Sequence, residues 1–383
     1  MGKKGKERAK ERREKRLQEI SELRKKPILT GNRWWSSETV AVVTGANRGI
    51  GFEIARQLAA YGLHVIMASR DAERGRQVAE MLQNEGLSVN SHQLDISNQA
   101  SVESFSKWVV LNYGAIDILV NNAGVNFNLG SENSVEFAEK VIETNYVGTK
   151  RVIKAMIPVM RPSENGARIL NVSSRLGRVN GRRNRLGDAN LREKLLTDES
   201  LSEELIDGMV AEFLKQVKDA TWMPNGWPQM FTDYSVSKLA VNAYTRLMAK
   251  LLSSRPEGHR IYINCYCPGW VKTAMTGWQG NMSAEEGADT GVWIVLLPNQ
   301  LPTGGVAYIS AFPLSRPSTK YVYPHHRLHL WNLLLYLLIQ PTLLYKEKTY
   351  VECNSIYHTH DRYISLFCSS LFCYKRKAYF RPL

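Results

Sequence analysis

Apolar residues along the middle of the chain follow two alternating patterns. Short β-prone runs fall at 40–44, 63–68, 88–94, 117–121, 168–173 and 261–267, with a weaker one at 306–309. Between them lie stretches such as 98–113, 133–160 and 234–253, whose apolar positions recur at helical spacing. The strands read as continuous apolar runs, the pattern of strands covered on both faces. Strand and helix in alternation predict an α/β fold built on a doubly wound parallel sheet. About sixty residues separate Ser174 from Tyr234, far more than a crossover loop needs, and Leu205 to Val217 within them has its own helical pattern. The expected organisation is an N-terminal arm over 1–38, one domain over 39–310 with a helical insertion at 175–231, and a tail over 311–383.

The first strand, Val40 to Thr44, runs into Gly45-Ala-Asn47-Arg48-Gly49-Ile50-Gly51, after which Ile54, Ala55, Leu58 and Ala59 share one helical face. Glycines at such a turn let backbone N–H groups approach a pyrophosphate, where the helix dipole favours an anion. Strand, glycine turn and helix in this order open a Rossmann-type dinucleotide site.

Charge and cysteine content narrow the picture. The net charge of +14 suggests a polyanion partner until it is divided along the chain. Residues 1–26 carry 12 Lys/Arg against 5 Glu, and residues 305–383 carry 10 against 3 acids, which accounts for the whole excess. The middle is neutral, so nucleic acid is not the expected partner. The arm, with Glu and Lys/Arg at i,i+4, reads as a solvated helix or partly disordered segment. Its interleaved acids argue against a transit peptide, and five scattered cysteines against a disulfide scaffold, so a reducing, cytoplasmic setting is expected. Five of the eight histidines and three of the five cysteines fall in the tail, without zinc-ligand spacing. Leu328 to Tyr345 is apolar-rich, but Asn332, Gln340 and Pro341 interrupt it, short of the ~20 mostly apolar residues of a membrane span.

The end of the second strand bears on which nicotinamide cofactor fits. An NAD site places an acidic residue there to bond the ribose hydroxyls. Here Ser69 and Arg70 occupy the position, and Arg48 stands in the glycine turn. Two guanidinium groups suit the 2′-phosphate of NADPH/NADP+. Asp95 and Ile96 close the third strand, where a carboxylate can accept from the adenine amino group; Asn122, Ala123 and Gly124 follow the fourth, at the sheet's switch point.

Two Tyr-x-x-x-Lys pairs occur, Tyr146–Lys150 and Tyr234–Lys238. At i,i+4 both members of a pair share one helix face, and a lysine cation near a phenol lowers its pKa, preparing a proton donor. Tyr146 precedes the fifth strand. Tyr234 follows it, and that strand's end presents Ser173 and Ser174 to the crevice. Position therefore favours Tyr234–Lys238 for chemistry and leaves Tyr146–Lys150 a structural pair.

Taken together, Thr44-Gly-Ala-Asn-Arg-Gly-Ile-Gly51, Asn121-Asn-Ala-Gly124, Asn145, Val172-Ser-Ser174, Tyr234-Ser-Val-Ser-Lys238 and Pro268-Gly-Trp-Val-Lys-Thr273 resemble, in order, the motifs of the short-chain dehydrogenase/reductase (SDR) family. The insertion before the tyrosine resembles the plant carbonyl-reductase branch, which includes menthone- and salutaridine-type reductases. The likeness covers about residues 39–304 and leaves out arm and tail. It implies Tyr234 as general acid, Ser174 as the hydroxyl holding the substrate oxygen, Lys238 on the nicotinamide ribose, and Asn145 holding a water in a proton relay. It implies that Pro268, Gly269, Val271 and Thr273 lie along the cofactor, with Thr273 on its carboxamide. The implied reaction moves hydride from NADPH to an aldehyde or ketone of a small apolar substrate. The insertion implies a monomer, since it would cover the helices through which many relatives dimerise. Trp227 and Trp270, with Ser174 and Tyr234, are the candidate substrate contacts; Trp227 and its aromatic neighbours equally suit a core. The competing class is a non-catalytic scaffold that binds the cofactor, or a reductase impaired by its C-terminus.

Overall fold

The structure, a computed structural model, describes residues 33–127, 134–181 and 184–297. Six strands, β1 (Val40–Thr44), β2 (His64–Ser69), β3 (Val89–Gln93), β4 (Ile118–Asn121), β5 (Ala167–Val172) and β6 (Ile261–Tyr266), form one sheet in the order β3-β2-β1-β4-β5-β6. Every pairing is parallel; Val42, for example, stands between Ile66 and Leu119. The weak run at 306–309, the tail and most of the arm lie outside the described residues.

Each apolar strand feeds two cores. Val40 and Val42 of β1 pack on one side with Phe105, Tyr146, Val236 and Tyr244, while Ala41 and Val43 pack on the other with Ile54, Leu58, Val292 and Val295. Helices α1 (Gly49–Ala60), α2 (Ala72–Asn84) and the last described helix cover the second face. Helices α3 (Gln99–Tyr113), α4 (Val135–Ile142), α5 (Thr149–Met156) and the helix bearing Tyr234 cover the first. This two-sided burial is why the strands carry no polar alternation.

Within the expected helical stretch, the described residues from Val135 on do not form a single uniform α-helix. Between α4 and α5 the chain widens into a π-turn, Glu143–Gly148, and it ends in a 3₁₀ turn, Ile157–Val159. A π-turn spaces its apolar side chains almost as an α-helix does, so periodicity alone does not reveal it.

The insertion holds two helices, α6 (Ala189–Leu196) and α7 (Glu203–Lys218), followed by α8 (Thr232–Ser253). The sequence pattern identified α7. The shorter α6 is marked by an Asp188 cap that accepts from Leu191 N–H. Ile206, Met209, Val210 and Phe213 of α7 join the same core as Val236 and Tyr244 of α8. The last helix, α9 (Ala284–Leu296), opens with a Ser283/Glu286 capping box.

Trp34 and Trp35 belong to the folded body. Trp35 is buried and donates its indole N–H to Tyr61 O, while Trp34 lies 3.5 Å from the Arg168 guanidinium and donates to Leu296 O.

Candidate active site

Among the described residues six α-helices begin at a side-chain cap: Asp71, Asn98, Ser134, Asp188, Ser202 and Ser283 each accept a backbone N–H of the first turn. Helices α1 and α8 start at Arg48 and Phe231 with no side-chain cap. The first turn of α1 therefore keeps its N–H groups for another acceptor, the arrangement of an anion site.

The glycine turn is shaped for close approach. Gly45 and Gly49 have φ of +64° and +58°, the left-handed region. A Cβ on Gly51 would collide with the Asn122 amide and the Gly45 carbonyl. That amide donates to Thr44 O and Gly45 O (3.0 and 3.1 Å), and the Thr44 hydroxyl accepts from the N–H groups of Asn122 and Ala123. The Asn122 side chain thus holds the turn to the end of β4. Ile50 packs at the edge of the second core beside half-buried Asn47. Thr273, following Pro268, Gly269 (φ +99°) and buried Val271, comes against Gly49, so the loop after β6 meets the glycine turn.

Arg48 and Arg70 are both exposed, and among the described residues neither has an ion-pair partner. Ser69 is buried and its hydroxyl donates to Asp71 O (2.8 Å), so the charged candidates for a ribose phosphate are the arginines. Asp95 Oδ1 accepts from the Ser97 N–H and hydroxyl, and Ile96 O accepts from Arg151. These contacts fix the loop after β3.

Across the crevice, Gly177 brings Ser174 and α8 together: a Cβ there would collide with the Lys238 backbone. The Ser174 hydroxyl is near enough to the Tyr234 phenol to act on its proton affinity, and it accepts the Leu176 N–H at 3.1 Å. Ser173 points elsewhere, donating to Asn242 Oδ1 at 2.6 Å. Burial holds the Tyr234 phenol above its ordinary value, with nearby Cys267 adding to the shift and Ser174 opposing it. From its spacing, the lysine is expected to lower that phenol. In this structure desolvation dominates, and the Lys238 ammonium, 5.6 Å from the ring centroid, donates to Val172 O at 2.9 Å. Lys238 has no carboxylate partner among the described residues, and burial lowers it to about 8.

Asn145 sits in the π-turn and is fully buried. Its Oδ1 accepts from Val125 N–H (2.7 Å), and its Nδ2 donates to Val125 O (2.9 Å) and Ser237 Oγ (3.0 Å). Both amide hydrogens are engaged by protein, which leaves a water only the second lone pair of Oδ1. Ser237 and Asn242 were not singled out from the sequence. Their positions three and eight residues after Tyr234 place them on inward faces of the same helix.

The other candidates separate. Tyr146 donates its phenol to Asp207 Oδ1 at 2.6 Å, and Lys150 reaches both Asp207 oxygens at 2.7 Å, a closed structural cluster. Trp227 is 4% exposed, edge-on to Phe213 with its N–H on Gln216, so its place is the core of the insertion rather than a pocket wall. Trp270 is exposed, its N–H on Gln279 O. A cavity of about 800 Å³ between α4, the π-turn and α7 is lined by Val125, Phe127, Val147, Val210 and Leu214 among others, but by none of Ser174, Tyr234 and Lys238. Arg70, Tyr146, Lys150 and Asp207 also line it.

Comparison with known proteins agrees with this geometry. The profile of the short chain dehydrogenase family matches residues 39–185. An NADPH carbonyl reductase of Mus musculus is 38% identical over 265 residues, covering 69% of this chain and 92% of that protein. A (+)-neomenthol dehydrogenase of Arabidopsis thaliana is 38% identical over 288 residues, covering 69% and 94%. The structure of salutaridine reductase from Papaver somniferum superposes with a TM-score of 0.63 at 35% identity, over 70% of this chain and 98% of that one. With the strand order, the glycine turn and the Ser174–Tyr234–Lys238 cluster in place, the chain belongs to the short-chain dehydrogenase family, on its carbonyl-reductase branch.

Proposed function

We propose that this protein is an NADP-dependent oxidoreductase that reduces the carbonyl of a small apolar aldehyde or ketone, with Tyr234 as proton donor. The observation that carries this reading is the convergence of Ser174, Tyr234 and Lys238 on one crevice, with the phenol held protonated by burial. The name of the mouse relative, an NADPH carbonyl reductase, supports both cofactor and reaction.

The cofactor suits the residues present. Its pyrophosphate would take the uncapped first turn of α1, beside the left-handed Gly45 and Gly49. Its 2′-phosphate would lie against Arg48 and Arg70. When bound, NADPH supplies the hydride that adds to the carbonyl carbon. Negative charge then grows on the carbonyl oxygen. Ser174 Oγ and the Tyr234 phenol stabilise that charge, and Tyr234 gives up its proton to it. Lys238, a cation below about pH 8, stabilises the resulting phenolate and would bond the ribose hydroxyls. Asn145 holds the loop after β4 against α8, and Thr273 would face the carboxamide.

The enzyme works as a cytoplasmic monomer in this reading. Support comes from the cover that α7 forms over α8 and from the unpaired, buried Cys265 and Cys267. Among the described residues no helix is long and apolar enough to cross a membrane. The test is oxidation of NADPH by the full chain against a panel of apolar aldehydes and ketones. Turnover is expected with NADPH well above NADH, and Arg48→Ala with Arg70→Ala should erase most of that preference. Tight NADPH binding without turnover on any carbonyl would favour the scaffold reading instead.

A further inference from the structure

The insertion meets the helix bearing Tyr234 through Asn184, Met230 and Gly177, and meets the segment bearing Asn145 through Asp207. Asp207 projects from α7 onto the segment that carries Asn145. Its Oδ1 accepts from the Tyr146 phenol at 2.6 Å, and both its oxygens accept from Lys150 Nζ at 2.7 Å. Tyr146 is the residue after Asn145 and lies inside the π-turn; Lys150 lies one turn beyond Asn145, in the first turn of α5. The Tyr146 ring is 1% exposed and sits edge-on to Tyr244 of α8, 6.2 Å between centroids. Glu203, also from α7, approaches Lys150 at 3.2 Å and Lys154 at 2.5 Å.

A π-turn has poorer backbone packing than the α-helix competing with it and persists where outside contacts hold it. Removing its extra residue would rotate Asn145 relative to α4. The paired bonds to Val125 and the bond to Ser237 would then not all survive. We propose that Asp207 is a positioning residue for the reductase reaction: by clamping Tyr146 and Lys150 it fixes the π-turn, and through it the Asn145 amide that sets the Val125 loop against α8. This rests on the reductase reading above. It gives the insertion a part in catalysis that neither a buried core nor a covered surface would supply.

Asp207 touches no reacting atom in this scheme, so its loss must be read through Asn145. Asp207→Asn keeps the shape and removes the charge that holds Lys150. Lys150→Met removes the other side of the clamp and serves if the first variant fails to fold. Asp198→Asn is the control, because Asp198 also ties the insertion to α8, through Arg246, away from the π-turn. The full-length proteins are compared by steady-state kinetics and by hydrogen exchange over residues 143–148. Asp207→Asn and Lys150→Met should lower kcat by about 10-fold while KM for NADPH and carbonyl moves less than about twofold, the signature of lost geometry rather than lost binding. Exchange across the π-turn should speed up in both, and Asp198→Asn should leave kcat and that exchange unchanged. Unchanged kcat and exchange in Asp207→Asn would overturn the inference, as would an equal loss of kcat in Asp198→Asn. If wild-type enzyme reduces no carbonyl, it is the reductase reading that falls; the exchange comparison then still decides whether Asp207 holds the turn.

Discussion

Two Tyr-x-x-x-Lys pairs lie on helices that cover the same face of one sheet, and they do opposite things. Tyr146 and Lys150 close on a carboxylate, Asp207, which takes the phenol's proton bond and neutralises the ammonium. Among the described residues Lys238 has no ion-pair partner and leans on a backbone carbonyl, and Tyr234 lies near Ser174. In the first pair all the polar capacity is spent inside the protein. In the second, burial without neutralisation leaves a protonated phenol and a strained cation, a state that gains from a ligand with an oxygen to protonate and hydroxyls to bond. The third partner, not the spacing, separates a structural pair from a reactive one.

The largest expected difference between the pairs is in turnover. Tyr234→Phe should lower kcat for carbonyl reduction by about 10²–10⁴, the usual worth of a general acid, whereas Tyr146→Phe, which loses one bond of a three-bond cluster, should cost no more than about threefold. A similar loss in both variants would erase the distinction.

Stability should move in opposite directions at the two lysines. Lys238 is buried without a counter-ion, so Lys238→Met should abolish most activity yet raise stability at pH 7 by about 1–3 kcal/mol in denaturant unfolding. Lys150→Met leaves Asp207 and Glu203 facing each other and should destabilise, by only about 1 kcal/mol because Asp207 is partly in water.

The smallest effect is in pH dependence. Lys238 is lowered from 10.5 to about 8 in the folded chain. Below about pH 8 it is charged in both states, and its burial costs stability in full. Between that value and its ordinary 10.5 only the unfolded state still binds the proton, so the cost fades as pH rises. Stability of wild type relative to Lys238→Met should therefore climb over that window. The free enzyme's kcat/KM for reduction should fall as pH rises through about 8, because the cation that stabilises the Tyr234 phenolate is lost. The Tyr146 cluster predicts no such inflection, and its persistence in Lys238→Met would reassign it.

Much of this was legible in the residues. Apolar runs located the strands buried on both faces, whereas the edge strand β3, Val-Asn-Ser-His-Gln, has only Val89 buried. The glycine turn and Tyr234–Lys238 were nominated by order along the chain, each near the carboxyl end of a strand, and Ser174 over Ser173 by the family resemblance. What escaped was whatever depends on distant segments. The π-turn keeps helical spacing, so 133–160 read as one helix. Trp227 carried no sign of whether its ring would meet a substrate or Phe213. Asp207 showed nothing in its own neighbourhood, because its partners lie 57 and 61 residues away.

By itself, then, the sequence determined the parallel α/β architecture, and it nominated the glycine turn and the Tyr234–Lys238 pair on which the proposed function rests, all from local pattern and chain order. Tertiary structure alone decided that burial raises the Tyr234 phenol where the lysine was expected to lower it. It also decided that the Asn122 and Asn145 side chains hold backbone in place, and that the insertion reaches the site through Asp207. Each of these depends on which groups exclude water from which others, and that is set by packing between segments far apart in the chain.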